Sequence, residues 1–229
     1  MRISRGATTR RRWLGLALGA VLAPRLASLR EALAAGKIEK GVYRVRGDAR
    51  VNGAPAREGM DVKAGDVITT GADAELVFVI GKDAMLVRSN ARVEVSGRSG
   101  ELVAAGLRIV TGAVLSVFSP GARRTIRVQT ATIGVRGTAV YAEDLVDRAY
   151  VCTCYGVSDI AAADDPAVQE TVQTEHHEQP RYVYSAGVAS RIERAPVINH
   201  SDAELILLES LVGREPPFVT RADYRPGRY

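Results

Sequence analysis

An all-β fold is what this sequence predicts: a sandwich, roll or short β-solenoid of many short strands, with one short C-terminal amphipathic helix. Three observations carry the expectation. Between residues 37 and 187, Gly, Pro, Asn and Asp turn signals recur about every 8 to 12 residues. The apolar residues between them alternate or form short runs, with no 3.6-residue period. The single helical period comes late, after residue 200.

The elements follow in order. Residues 42–45 form a first candidate strand. Asn52-Gly53 inside residues 50–55 is a strong short hairpin signal. Gly65-Asp66 leads into a strand over 67–70, which Gly71 closes. Residues 76–80, Leu-Val-Phe-Val-Ile, are a continuous apolar run, as expected for a strand covered on both faces. Gly81-Lys82-Asp83 turns the chain into 85–87; strands over 93–95, 107–110 and 114–118 come next. Pro120-Gly121 turns into a strand over 126–130, with Arg123, Arg124 and Arg127 read as a solvated hairpin end. Residues 158–170 read as a loop or a single frayed turn, followed by strands over 171–174 and 182–184. Ser201-Asp202-Ala203-Glu204 is a capping box, and Leu205, Leu208 and Val212 follow at i, i+3 and i+7. Gly213 and Pro216-Pro217 end that helix, placing it at about 201–213. The tail over 218–229 has no period and reads as extended or disordered.

The first residues belong to another category. A basic stretch ends in Arg10-Arg11-Arg12-Trp13-Leu14, a short apolar run occupies 14–23, and Ala32-Leu33-Ala34 has the small-x-small pattern of a cleavage site. The paired Arg10 and Arg11 resemble a twin-arginine export signal. The apolar run is shorter than the roughly 20 residues a spanning helix needs. Residues 1–34 carry seven arginines and one glutamate, a net +6 against +5 for all 229 residues, so the rest of the chain sits at −1. The basic character therefore belongs to the signal. The mature part has no basic stripe for nucleic acid and no transmembrane segment. The organisation expected is a signal peptide over 1–34, an all-β domain over 37–190, and a helix with its tail over 191–229, in the periplasm of a Gram-negative type envelope.

Residues 129–143, QTATIGVRGTAVYAE, resemble the core of the FecR domain family through Thr130, Val135, Arg136, Gly137, Thr138 and Val140. Gly65-Asp66 with Ile68 and Thr70, the strand-Gly-strand run over 78–86, and LRIVTGAVLSV over 107–117 resemble other steps of the family in the family's order. The resemblance covers about residues 40–160. It implies a non-enzymatic periplasmic β domain for recognition or signalling, with an envelope protein or other periplasmic ligand as partner. The form is a stand-alone one, in which the export signal replaces the family's sigma-regulating cytoplasmic segment and membrane helix. Read from the residues alone, Gly134 and Gly137 suggest special dihedrals or close approach. Arg136 between them is either a structural guanidinium bonded to carbonyls or a carboxylate, or a recognition residue.

Enzyme signatures are absent. No G-x-S-x-G elbow, phosphate loop or dinucleotide fingerprint occurs. His177-Glu178 does not extend to H-E-x-x-H, because Arg181 stands at the second histidine position and Pro180 precedes it. The chain's soft ligands are two cysteines and three histidines. Cys152 and Cys154 lie on a predicted strand, so their side chains share a face. If 171–177 pairs nearby, His176 or His177 meets them, a donor set suited to zinc or copper and to a periplasmic metal-binding or redox protein. Two alternatives stand beside this one: buried structural thiols, and a disulfide strained by the roughly 6.5 to 7 Å span of i and i+2 in a strand. His200, before the capping box, reads as packing at the start of the helix.

Overall fold

The computed structural model describes residues 40–101, 104–121 and 123–225. The export-signal residues Arg10, Arg11, Ala32 and Ala34 lie outside them. The described chain is all-β with one short helix, and its strands form a 14-stranded sheet. They are β1 (Gly41–Arg46), β2 (Ala49–Val51), β3 (Ala54–Pro55), β4 (Val67–Thr70), β5 (Glu75–Ile80), β6 (Asp83–Val87), β7 (Arg92–Ser96), β8 (Gly106–Val117), β9 (Arg123–Arg127), β10 (Ala131–Asp144), β11 (Arg148–Ala162), β12 (Gln169–Thr174), β13 (Arg181–Tyr184) and β14 (Ile192–Arg194). The helix α1 spans Asp202–Leu211, and a 3-10 turn follows at Pro217–Thr220.

Three long strands give the sheet its shape. The first half of β8 pairs with β7 and, in parallel, with β9; its second half pairs with β6 and with β10. β10 passes from β9 to β8 along its length, and β11 passes from β13 to β12. Each therefore belongs to two half-sheets and turns a corner between them, the way strands change sheets in orthogonal sandwiches. The corner of β10 is Gly137, at φ +61, where the register with β11 shifts. A Cβ there would lie 2.7 Å from the Pro120 Cα. Opposite it, Gly156 at φ +91 lets β11 pass against Thr138.

Two cores result. The larger lies between the half-sheets and takes Phe78, Ile80 and Met85 from one half, and Ile68, Ile109 and Ile133 from the other. The second lies on the outer face of the β5–β6–β8–β10–β11 half, where Val77, Val79, Leu86, Leu115 and Tyr141 meet Leu205, Leu208 and Leu211 of α1 and the buried Phe218. This explains the run 76–80: alternate side chains enter different cores, and both are apolar.

Several expectations are corrected. Residues 107–110 and 114–118 are one 12-residue strand bent at Gly112, not two. β11 continues to Ala162, into the first residues of the segment 158–170 expected to be a loop, of which 163–168 form the turn before β12. Ser158, Ile160 and Ala162 are buried in alternation, a period masked by small residues and supported by pairing with β10 and β12. Arg124 is no solvated hairpin end. β9 lies parallel to β8, and the Arg124 Nε donates to Asp83 Oδ2 at 2.9 Å, both groups buried. The buried carboxylate needs that cation, and its other oxygen accepts the Ser119 N–H at 2.8 Å. The tail is anchored by Phe218 rather than extended from it. Gly134 needs no special backbone, and a Cβ there would make ordinary contacts of 3.7 Å or more.

Candidate metal centre

β11 carries Cys152 and Cys154 two residues apart, so both thiols point to the outer face of its half-sheet, under α1. Both are free and fully buried. His177 sits in the turn between β12 and β13, and its N–H donates to the Cys154 carbonyl at 2.9 Å. Its φ of +62 is rare for a residue with a Cβ and directs the imidazole inward. His200 arrives from the opposite side, on the segment just before α1, with its ring stacked on Tyr141 at 4.7 Å between centroids. Asp202 opens the helix, and the Ser201 N–H donates to Glu204 at 2.9 Å, the return bond of the capping box.

One donor atom each from Cys152, Cys154, His177 and His200 lies within 4.8 Å of the others. Cys152 Sγ is 3.4 Å from His177 Nδ1, which is 3.1 Å from His200 Nε2. A tetrahedral ion with bonds of about 2.0 Å to nitrogen and 2.3 Å to sulfur has edges of about 3.3 to 3.8 Å, so these spacings fit it. The ring tautomers sharpen the fit. His200 Nδ1 lies 2.7 Å from the Ile198 carbonyl, which only accepts, so in the neutral ring Nδ1 carries the proton and Nε2 presents a lone pair. His177 Nε2 lies 3.2 Å from Asp202 Oδ1, so the neutral ring presents its lone pair at Nδ1. The two lone pairs face each other, and only a proton or a cation between them relieves the repulsion. Both outer contacts are of the kind that orients metal-ligating histidines.

The titration behaviour is consistent with a cation there. Burial disfavours ionisation of Cys152, yet hydrogen bonds from Cys154, His177 and His200 outweigh it and bring its thiol well below the ordinary range. Burial and the Cys152 thiolate push Cys154 well above that range. Burial works against charge on His177, but its bonds to Asp202 and Cys152 raise it to about 9. In the metal-free chain a proton therefore occupies the place that suits an ion.

His176 does not join the cysteines. Its Nε2 lies 2.8 Å from Asp202 Oδ1, and its ring stacks on Phe218 at 4.3 Å. His200 and Asp202 are the residues that sequence reasoning missed as partners of the pair. The signal for His200 was scarcity, since all three histidines and both cysteines of the chain meet within this one region; Asp202 had none. The residues of the FecR resemblance lie elsewhere. Thr130 donates to the Val183 carbonyl at 2.8 Å, Val135 is in the main core, and Gly137 and Thr138 form the corner. Arg136 is half exposed and paired with Asp159, which also accepts the Thr171 hydroxyl. That pairing holds the Asp159 carboxyl below its usual range. No helix among the described residues is long and apolar enough to cross a membrane.

No family model and no curated protein matches the chain. Two crystal structures of a protein from Parabacteroides distasonis, described as a candidate anti-sigma factor, are similar to 56% of this chain at 8% identity with a TM-score of 0.45. The matched part spans 58% of that protein's length.

Proposed function

We propose that this is a non-enzymatic, exported metal-binding protein that holds one zinc-type ion through Cys152, Cys154, His177 and His200. The observation that carries the reading is the facing pair of imidazole lone pairs beside two buried thiols, each ring held from behind by an acceptor. Two thiolates and two neutral imidazoles balance a divalent charge inside a dry core. Zn²⁺ is therefore favoured over Cu(I), which would leave a second buried negative charge beside that of Asp202. Four protein donors leave no open position, the arrangement of a structural or sensing site rather than a catalytic one. The test is elemental analysis with thiol counting on protein purified natively from the periplasmic fraction. About one metal per chain, lost in Cys152→Ser, supports the reading; metal-free protein with two reduced thiols sinks it.

A recognition role of the FecR type is the second reading. In its favour, Arg136 and Asp159 form an ion pair that stays half exposed where β10 turns its corner. The same features also have a structural explanation, since Gly137 makes the bend and Asp159 takes the guanidinium. In vivo crosslinking in the envelope separates the two: loss of a reproducible partner in Arg136→Ala supports recognition, and capture unchanged by the substitution removes Arg136 from it.

A further inference from the structure

The four inner donors are sealed, with residue exposures of 0% for both cysteines, 1% for His177 and 8% for His200. An ion stripped of water and ligands does not cross an apolar shell, so it needs donors along its way. His177 supplies a connection, because its second ring nitrogen belongs to another group. His176 Nε2 and His177 Nε2 both approach Asp202 Oδ1, at 2.8 and 3.2 Å, and the donor atoms of the three residues lie within 4.8 Å of one another. His176 is the member that reaches solvent, its side chain 12% exposed against 2% for Asp202. It is covered by Phe218 and, edge-on at 5.8 Å, by Tyr224 of the C-terminal tail. The remaining oxygen, Asp202 Oδ2, is buried and has no hydrogen-bond partner among the described residues. A buried carboxylate oxygen left without a donor is costly, and a passing cation satisfies it.

We propose that His176, Asp202 and the Nε2 of His177 form a loading site, which takes a borderline divalent cation entering past His176 and passes it to the inner four donors. The inference rests on the metal centre proposed above. The order of the two sites follows from their donors. Two imidazoles and a carboxylate behind the partly exposed His176 capture such an ion reversibly, and two thiolates with two imidazoles hold it more tightly. Passage inward is therefore downhill. His177 serves both stages by changing tautomer. With the ion on Nε2 its proton is on Nδ1; with the ion on Nδ1 the proton is on Nε2, facing Asp202 again.

Co²⁺ provides the test, because its thiolate absorption reports arrival at the cysteines. Metal-stripped full-length protein is mixed with Co²⁺ in a stopped-flow instrument, and affinity is measured separately at equilibrium. His176→Ala is expected to slow loading by about tenfold or more while leaving affinity within about twofold. Tyr224→Ala, which uncovers His176, is expected to speed it. His176→Asn checks the first result in a variant that keeps a polar side chain, with the metal-free unfolding midpoint confirming an intact fold. Loading of both His176 variants at the wild-type rate overturns the loading site, as does a fall in affinity that matches the fall in rate. Wild-type protein that never develops thiolate absorption overturns the metal centre itself, a separate failure.

Discussion

Replacing Asp202 with Asn isolates what its charge does for the centre. Asp202 is buried, and its Oδ1 receives His177 at 3.2 Å and His176 at 2.8 Å. An amide oxygen at the same place still accepts a hydrogen bond, so His177 keeps its orientation and loses only the negative partner. Loss of a carboxylate behind a ligating histidine costs about 10- to 100-fold in affinity, or about 1.4 to 2.7 kcal/mol. That full loss appears only where protons do not compete. In the wild type burial disfavours the charged His177 ring, but Asp202 and Cys152 raise it to about 9, so near neutral pH the ion must displace its proton. It must also displace the Cys154 proton, which burial and Cys152 hold well above the ordinary thiol range, whereas Cys152 is held well below it. Uptake at about pH 7 should then release protons from both Cys154 and His177 in the wild type, and fewer in Asp202→Asn, where Cys152 alone still raises the His177 ring. Zinc titrations in buffers of different ionisation enthalpy count those protons, and competition with a chromophoric chelator at about pH 7 and pH 9.5 gives the affinities. The expected pattern is a 10- to 100-fold deficit at the higher pH that shrinks toward neutrality. Equal proton release by the two proteins, with equal affinity at high pH, would show that Asp202 does not act on the ion through His177.

Other consequences are accessible to simpler measurements. Metal-free wild type should lose stability relative to Asp202→Asn as pH rises from about 6.5 to 9; the raised His177 contributes in full below its unfolded value and fades as pH passes its folded value of about 9, which thermal unfolding in chelator can follow. Gly156→Ala should cost about 2 to 5 kcal/mol in urea unfolding, from the left-handed backbone at φ +91 together with a Cβ placed 2.6 Å from the Thr138 Cβ. Gly187→Ala, at φ +97 with nothing within 4 Å, should cost only the backbone part, about 1 to 2 kcal/mol, and an equal cost at both sites would refute the close-approach reading. Chelation should raise amide exchange over residues 198–211, which carry His200 and α1, while the paired interior of β10 and β11 stays protected.

The limits of sequence reading here follow from chain separation. Turn chemistry is local, so Asn52-Gly53 makes its hairpin at φ +52 and +81, the left-handed backbone that a two-residue turn requires and that Asn and Gly tolerate. The shared face of Cys152 and Cys154 is equally local, because period 2 decides it. Bends inside long strands were hidden, since Gly112 and Gly137 look like turn residues and only pairing on both sides shows that the strand continues through them. The site was half legible for the same reason. His177 reaches Cys154 through a β12 that lies beside β11 and is only a short stretch away, so the approach could be anticipated. His200 comes from beyond two further strands. The capping box fixes where α1 begins, but nothing local says which sheet face its leucines cover. That choice is made by the outer core, where Val77, Leu86 and Leu115 leave an apolar surface that the leucines of the C-terminal segment cover. Once Leu205 and Leu208 settle there, Asp202 and His200 are carried to the cysteines with no further signal needed. A scarce set of soft donors is thus assembled by packing, and the metal centre depends on the docking of α1 as much as on its four ligands.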